Sequence, residues 1–359
     1  MAFRILAINP GSTSTKLGYY VGLEPEVVET LRHSAEELAN FRSVAEQLPF
    51  RRDAILQFMA DNHIQQEKVD AYCGRGGLLK PIPGGVYNVT PVMKTHLKQA
   101  RYGEHASNLG AILADELGRA SGNKPAFIVN PVVVDELQEL ARFSGMPDNP
   151  RISIFHALNQ KAVAARYAEA VGRPYAELNL IITHLGGGIT VGAHRNGRVI
   201  DVNNGLSGEG PFSPERSGGV PTLKLIEMCF SGKYEPAIMK RMAVGKGGLV
   251  AYLRTNDARE VEDRIAAGDA RAELVYRAMA YQISKEIGAM HAVLNCRTDA
   301  IILTGGMAHS TLLVEWIRDT VGTLAEFVVF PGEDELLAMV EETTKALENK
   351  SPVLCYEEV

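Results

Sequence analysis

The stretch Asn9-Pro10-Gly11-Ser12-Thr13-Ser14-Thr15-Lys16 gathers groups that suit an anion. Gly11 lets the main chain approach a ligand, Ser12, Thr13 and Ser14 offer hydroxyls, and Lys16 adds a fixed positive charge. Small side chains with exposed N–H groups make an anion cradle, and phosphate is its usual occupant. The Walker A spacing is absent, and an ordinary hairpin turn with a surface lysine fits these residues equally well. Arg75 stands among Gly74, Gly76 and Gly77, where an unshielded guanidinium would reach phosphate or carboxylate bidentately; a surface arginine on a flexible turn is the alternative. Arg216 repeats that arrangement within a Gly/Ser/Pro-rich stretch, residues 203–222. Asp135 ends an apolar run, either as a helix cap for residues 136–142 or as a site carboxylate at a strand's carboxyl edge. His156, taken alone, is more often structural than catalytic. His184-Leu185-Gly186-Gly187-Gly188 forms a second small-residue turn, and Gly305-Gly306 would let a flat base or ribose pack on main chain.

These residues need elements to hold them. Apolar runs at 3–8 and 16–21 flank the first turn and predict a hairpin, with a third strand at 27–31. Helical spacing follows through residue 59, then a short strand at 71–73. Helical segments run to His96 and from His105 to about Arg119, and residues 126–129 read as a buried strand. Residues 145–150 hold two prolines, a glycine and no apolar period, which marks a domain boundary. Beyond it the opening pattern recurs: a helix to about Val171, strands at 178–185, 189–193 and 198–202, and a turn at Gly186-Gly187-Gly188 between the first two. Helices at about 221–230, 235–243 and 270–294, strands at 300–303 and 326–330, and a helix at 336–348 complete the chain. One strand–small-residue–strand turn near the start of each half implies internal duplication, and two such loops facing each other would hold the phosphates of one nucleotide.

A chain of 359 residues has room for two cores, and its net charge of −6 speaks against a nucleic-acid partner. No apolar run approaches the ~20 residues of a membrane span, and the opening residues lack the pattern of a secretory signal. Cys73, Cys229, Cys296 and Cys355 are scattered without a CxxC pair, as in reduced cytoplasmic proteins.

Seven motifs occur in a fixed order: NPGSTSTK (9–16), RGGLL (75–79), NPVVVDE (130–136), IFHALNQK (154–161), HLGGGI (184–189), PERSG (214–218) and LTGG (303–306). Together they resemble the acetate kinase family of the acetate-and-sugar-kinase/Hsp70/actin superfamily, and within it the branch of butyrate and branched-chain fatty-acid kinases. The resemblance spans essentially the whole chain. It implies an α/β, two-domain actin-like ATPase (ribonuclease H-like) fold with duplicated mixed five-stranded sheets flanked by helices. Residues 1–150 plus about 334–359 would form the acid- and phosphate-binding domain, and 151–333 the nucleotide-binding domain. ATP or ADP with Mg²⁺ would be the cofactors, a short-chain carboxylate and its acyl phosphate the substrates, and a homodimer or multiple of dimers the assembly.

By motif, Asn9 and Lys16 would contact the transferring phosphate, with Ser12, Thr13 and Ser14 beside them. Arg75 and Arg216 would clamp it, His156 would hydrogen-bond it, and Asp135 would be an essential carboxylate. His184, Gly186, Gly187 and Gly188 would lie close to ATP, and Gly305 and Gly306 would line the nucleoside pocket. Phe155, Gly76 and Gly77 would meet the acid. Asn9 and Glu335 (or Asp334, one residue earlier) would be associated with the metal.

Two departures from the acetate kinase pattern stand out. Gln160 replaces a second histidine, and Gly76-Gly77 replaces two valines, from which we expect a roomier acyl pocket and a four-carbon acid. Each methylene so buried is worth roughly 0.8 kcal/mol. A carboxylate nucleophile needs no base, whereas a sugar kinase of the same superfamily would use Asp135 as one. An actin-like chaperone or filament protein is the non-enzyme alternative; it leaves the two arginines without a role.

Overall fold

The computed structural model describes residues 2–206 and 208–359. Its strands are β1 (Arg4–Pro10), β2 (Ser14–Val21), β3 (Glu24–Arg32), β4 (Ala71–Arg75), β5 (Val86–Asn88), β6 (Ala126–Val129), β7 (Leu180–Leu185), β8 (Ile189–Arg195), β9 (Arg198–Val202), β10 (Ala300–Gly305), β11 (Glu326–Pro331) and β12 (Val353–Leu354). They fall into two compact units. The first comprises the chain up to Asp135 together with Asp334–Val359, and the second comprises Glu136–Glu333.

Ile5, Leu6, Ala7 and Ile8 are all buried, as befits a strand covered on both faces. β1 runs antiparallel to β2 and parallel to β4, so it lies in the middle of the first sheet. The full order is β12-β5-β6-β4-β1-β2-β3. The second sheet runs β11-β10-β7-β8-β9. In both, an antiparallel meander of three strands is followed by two parallel strands added beside its first member.

The five-strand expectation therefore holds for the second sheet, while the first has seven. β5 pairs antiparallel with the free edge of β6, and β12 parallel with β5. Both additions are too short to show a period, and prolines at 81 and 83 mask the run that leads into β5.

The chain enters the second unit at Glu136, earlier than the Pro/Gly-rich stretch at 145–150. Contacts explain why. The Glu136 carboxylate accepts from Val199 N–H at 2.8 Å and pairs with Lys161 at 2.9 Å, and Gln138 N–H donates to Ile200 O at 2.9 Å. No α-helix starts at Glu136; a single 3-10 turn, Glu139–Arg142, follows Gln138, so Asp135 is not a helix cap.

Helices cover the sheets. The helix Ala270–Val293 buries Val275, Met279, Ile283, Ile287 and Met290 at helical spacing against Ile181, Val191, Ile301 and Leu303. Three helices escape the sequence reading: Gly248–Leu253, Ala258–Ala266 and Thr311–Val321. The second is mostly charged and buries only Val261. Among the described residues no helix is long and apolar enough to cross a membrane.

Candidate active site

In the first unit, Asn9, one residue before the end of β1, lies directly opposite Lys16 of β2, so the two side chains share one face of the hairpin. Ser12 and Thr13 lie exposed on the intervening turn, which Gly11 N–H closes onto Ser14 O at 2.8 Å. Glu335 begins the helix Glu335–Leu347 and is only 9% exposed. Its Oε2 accepts from Asn9 Nδ2 at 2.7 Å and pairs with Arg75. The sequence therefore brings Asn9, Arg75 and Glu335 to one point from three separate segments. Asp334, the alternative acid, is exposed; its charge adds to burial in pushing the Tyr20 phenol up to about 12. Near this group, burial first and the Arg75 charge second hold His105 below the ordinary histidine value. Asp135 is half-buried at the end of the unit, its N–H donating to Ile82 O at 2.8 Å.

The glycines around Arg75 serve close packing. A Cβ on Gly74 would overlap the Gly110 carbonyl of the helix Asn108–Ala120, one on Gly76 would come within 2.5 Å of Pro131 Cβ, and one on Gly77 within 2.6 Å of Asn108 Cα. This corrects the expectation of a roomier acyl pocket. The volume of the missing valine side chains is filled by Pro131 and by the first turn of that helix.

In the second unit, Gly186, Gly187 and Gly188 link β7 to β8. A Cβ on Gly188 would run into the Arg216 guanidinium, which donates to Gly205 O. Ser213 Oγ donates to Gly187 O at 2.6 Å. Burial lowers Arg216 from its ordinary value, and Glu215 opposes the shift. His156 and His184 stack in parallel, ring centroids 3.7 Å apart. His184 Nδ1 faces Asn159 Oδ1 at 2.8 Å, and its Nε2 faces Glu333 Oε1 at 3.0 Å. Gly305 has φ +91 and sits so near Leu185 that no side chain fits, whereas Gly306 borders open space. Phe155 is 3% exposed, in the interior next to His156.

A buried hydrogen-bond chain orients His156. Gln160 Nε2 donates to Thr190 O at 3.2 Å and to Thr190 Oγ1 at 3.0 Å, and because a carbonyl only accepts, the amide orientation is fixed. Gln160 Oε1 must then accept from His194 Nε2–H at 3.0 Å. Burial, with Lys161 adding, holds His194 well below the ordinary value, so it is neutral and its Nδ1 accepts from Tyr175 O–H at 2.7 Å. At the other end, Thr190 Oγ1 lies 2.9 Å from His156 Nδ1.

Glu333, Asn159, Thr190 and His194 were not picked out from the sequence. None lies in a turn of small residues, and only the fold of the second unit carries them to His156 and His184. Among the described residues no three His, Cys, Asp or Glu side chains stand together as a metal-binding group. Glu335 with Asn9 still suits Mg²⁺, which takes one or two carboxylates and fills its remaining positions with waters and phosphate oxygens.

Solved structures share this fold. An acetate kinase from Porphyromonas gingivalis aligns with TM-score 0.79 over 96% of this chain and 100% of its own, at 20% identity. A propionate kinase from Francisella tularensis subsp. tularensis SCHU S4 gives TM-score 0.74 over 95% and 98%, at 17% identity. A ROK hexokinase from Thermus thermophilus gives TM-score 0.52 over 97% and 100%, at 14% identity. The fold is thus one shared with these kinases, two mixed sheets with flanking helices. The sequence model of the acetokinase family matches residues 151–342, more than half of the chain. That match covers the stacked histidines, the Gly186–Gly188 turn, Arg216 and Glu335, and by it the chain belongs to the acetokinase family of carboxylate kinases.

Proposed function

We propose that the protein catalyses reversible phosphoryl transfer between ATP and a short-chain fatty acid, giving an acyl phosphate and ADP, with butyrate or isobutyrate as the preferred acid. The observation that carries the reading is the convergence of Asn9 and Arg75 on Glu335 beside the hydroxyl-lined turn, in a chain of the acetokinase family.

The acceptor carboxylate titrates near ~4–5 and is ionised at neutral pH, so no residue has to remove a proton. Asp135 is accordingly assigned to orienting the arginines or metal-bound waters. In-line transfer places negative charge on three equatorial oxygens. Arg75 of the first unit and Arg216 of the second neutralise that charge, and His156 hydrogen-bonds it. Ser12, Thr13, Ser14 and Lys16 hold phosphate oxygens; His184 and Gly186–Gly188 lie along the triphosphate, with Gly305 and Gly306 at the nucleoside. When bound, Mg²⁺ neutralises phosphate charge, with Asn9 and Glu335 as its protein contacts. We further propose that the protein works in the cytoplasm as a homodimer or a multiple of dimers.

The four-carbon preference rests on the motif resemblance alone, since Gly76 and Gly77 leave no free volume. An ATP-dependent hydroxamate assay over acids of two to five carbons, straight and branched, tests it. Butyrate or isobutyrate should exceed acetate in kcat/KM by about tenfold or more. Equal or better use of acetate overturns the chain-length assignment, and phosphorylation of a sugar with no hydroxamate from any acid overturns the reaction class.

A further inference from the structure

The helix Leu48–Asp61 carries two adjacent arginines with opposite fates. Arg52 is on the surface and pairs with Asp53, whereas no part of Arg51 reaches solvent. The Arg51 guanidinium lies directly behind the turn between β1 and β2. Its Nη1 donates to Ser14 O at 2.9 Å and Thr15 Oγ1 at 3.1 Å, and its Nη2 to Ser12 O at 3.2 Å. Nε is anchored on Gln47 Oε1 at 3.1 Å. His33 completes the arrangement, its ring on Thr15 Oγ1 at 2.8 Å and its N–H on Thr13 O at 2.9 Å. The carbonyls of Ser12, Thr13 and Ser14, which would repel an anion, are therefore all tied back by donors.

Among the described residues every hydrogen-bond partner of Arg51 is a neutral oxygen, and no carboxylate pairs with it. Burial by itself pulls it down to about 10. A buried cation without an acid is unfavourable unless something else supplies the opposite charge.

We infer that Arg51 is a positioning residue for phosphate binding, fixing the Ser12–Thr15 turn in an anion-accepting form and lending it positive charge from behind. The inference rests on the assignment of that turn to the transferring phosphate in the proposed reaction.

Arg51→Gln removes the charge and keeps a hydrogen-bonding tip, and Arg51→Lys keeps the charge but loses the planar fork. Binding of inorganic phosphate and of MgATP is followed by thermal shift, and KM is measured for ATP and for the carboxylate. Arg51→Gln should weaken phosphate binding and raise the KM for ATP by about tenfold or more, with the KM for the carboxylate within about twofold of wild type. Arg51→Lys should recover phosphate affinity to within about threefold while kcat stays low, because the turn has lost its geometry. If the constants for phosphate and carboxylate move together, or only the melting temperature falls, the inference is overturned.

Should Arg51→Gln fail to fold, Thr15→Val decides. It keeps the side-chain shape and removes one acceptor of the guanidinium; phosphate binding should weaken by about threefold, and unchanged binding overturns the inference. Phosphate binding is read without turnover. A failure of the carboxylate-kinase reading would appear separately, as wild-type protein that binds phosphate yet phosphorylates no acid.

Discussion

Arg75 and Arg216 are held in different ways, and the difference shapes what their removal should do. Arg75 answers the carboxylate of Glu335, while Arg216 is lodged against Gly188 and the Gly205 carbonyl. Replacing either by alanine should lower kcat about a hundredfold or more by steady-state kinetics, with the circular dichroism spectrum unchanged. Arg75→Ala should also lose more thermal stability, because it takes the arginine from the nearly buried Glu335 and leaves the Asn9 amide beside that carboxylate. Unchanged turnover in both variants removes the clamp. These residues were legible because an arginine among glycines is conspicuous. Arg51 was not, because only the phase of its helix separates it from Arg52, and phase is set by packing. Gln160 was noticed as a departure from a pattern; its role as the fixed amide between His194 and Thr190 needed coordinates.

At the scale of elements, glycines divide into those that keep room for a side chain and those that keep room for main chain. Gly188 belongs to the first kind, since what a Cβ would strike is the mobile end of Arg216. Gly188→Ala should fold normally and lose kcat by displacing that guanidinium. Gly74 belongs to the second, since the obstacle is the Gly110 carbonyl of the helix Asn108–Ala120. Gly74→Ala should cost about 1–3 kcal/mol in denaturant unfolding. If Gly188→Ala keeps full activity, the guanidinium is not held where it acts. The meander strands β1, β2, β7 and β8 were readable from long apolar runs bounded by turns. β5, β12 and the helix Ala258–Ala266 were not, being too short or too polar for a period to appear. The same limit explains the error over Gly76 and Gly77: their composition implied empty space, and only the approach of Pro131 and Asn108 shows it filled.

For the whole molecule, the repeated strand order was legible as two turn-bearing hairpins, and the unit boundary less so. Residues 145–150 have a linker's composition, yet the chain has already joined the second unit through Glu136 and Gln138. The helices Thr222–Phe230 and Pro236–Ala243 bury none of their residues, and Leu223 and Phe230 are 79% and 87% exposed. Such apolar exposure supports the proposed self-association. A Leu223→Glu/Phe230→Glu double variant should run at half the wild-type mass by light scattering while each monomer stays folded. Wild-type protein that is already monomeric at assay concentration would remove the dimer.

The chain of bonds from Tyr175 to Thr190 has one sense only, because the Gln160 amide cannot be turned around without losing its bond to the Thr190 carbonyl. Gln160 is thereby committed to His194 on one side and to Thr190 on the other, so a change at Tyr175 or His194 reaches the His156 ring through bonds and not through any contact of its own.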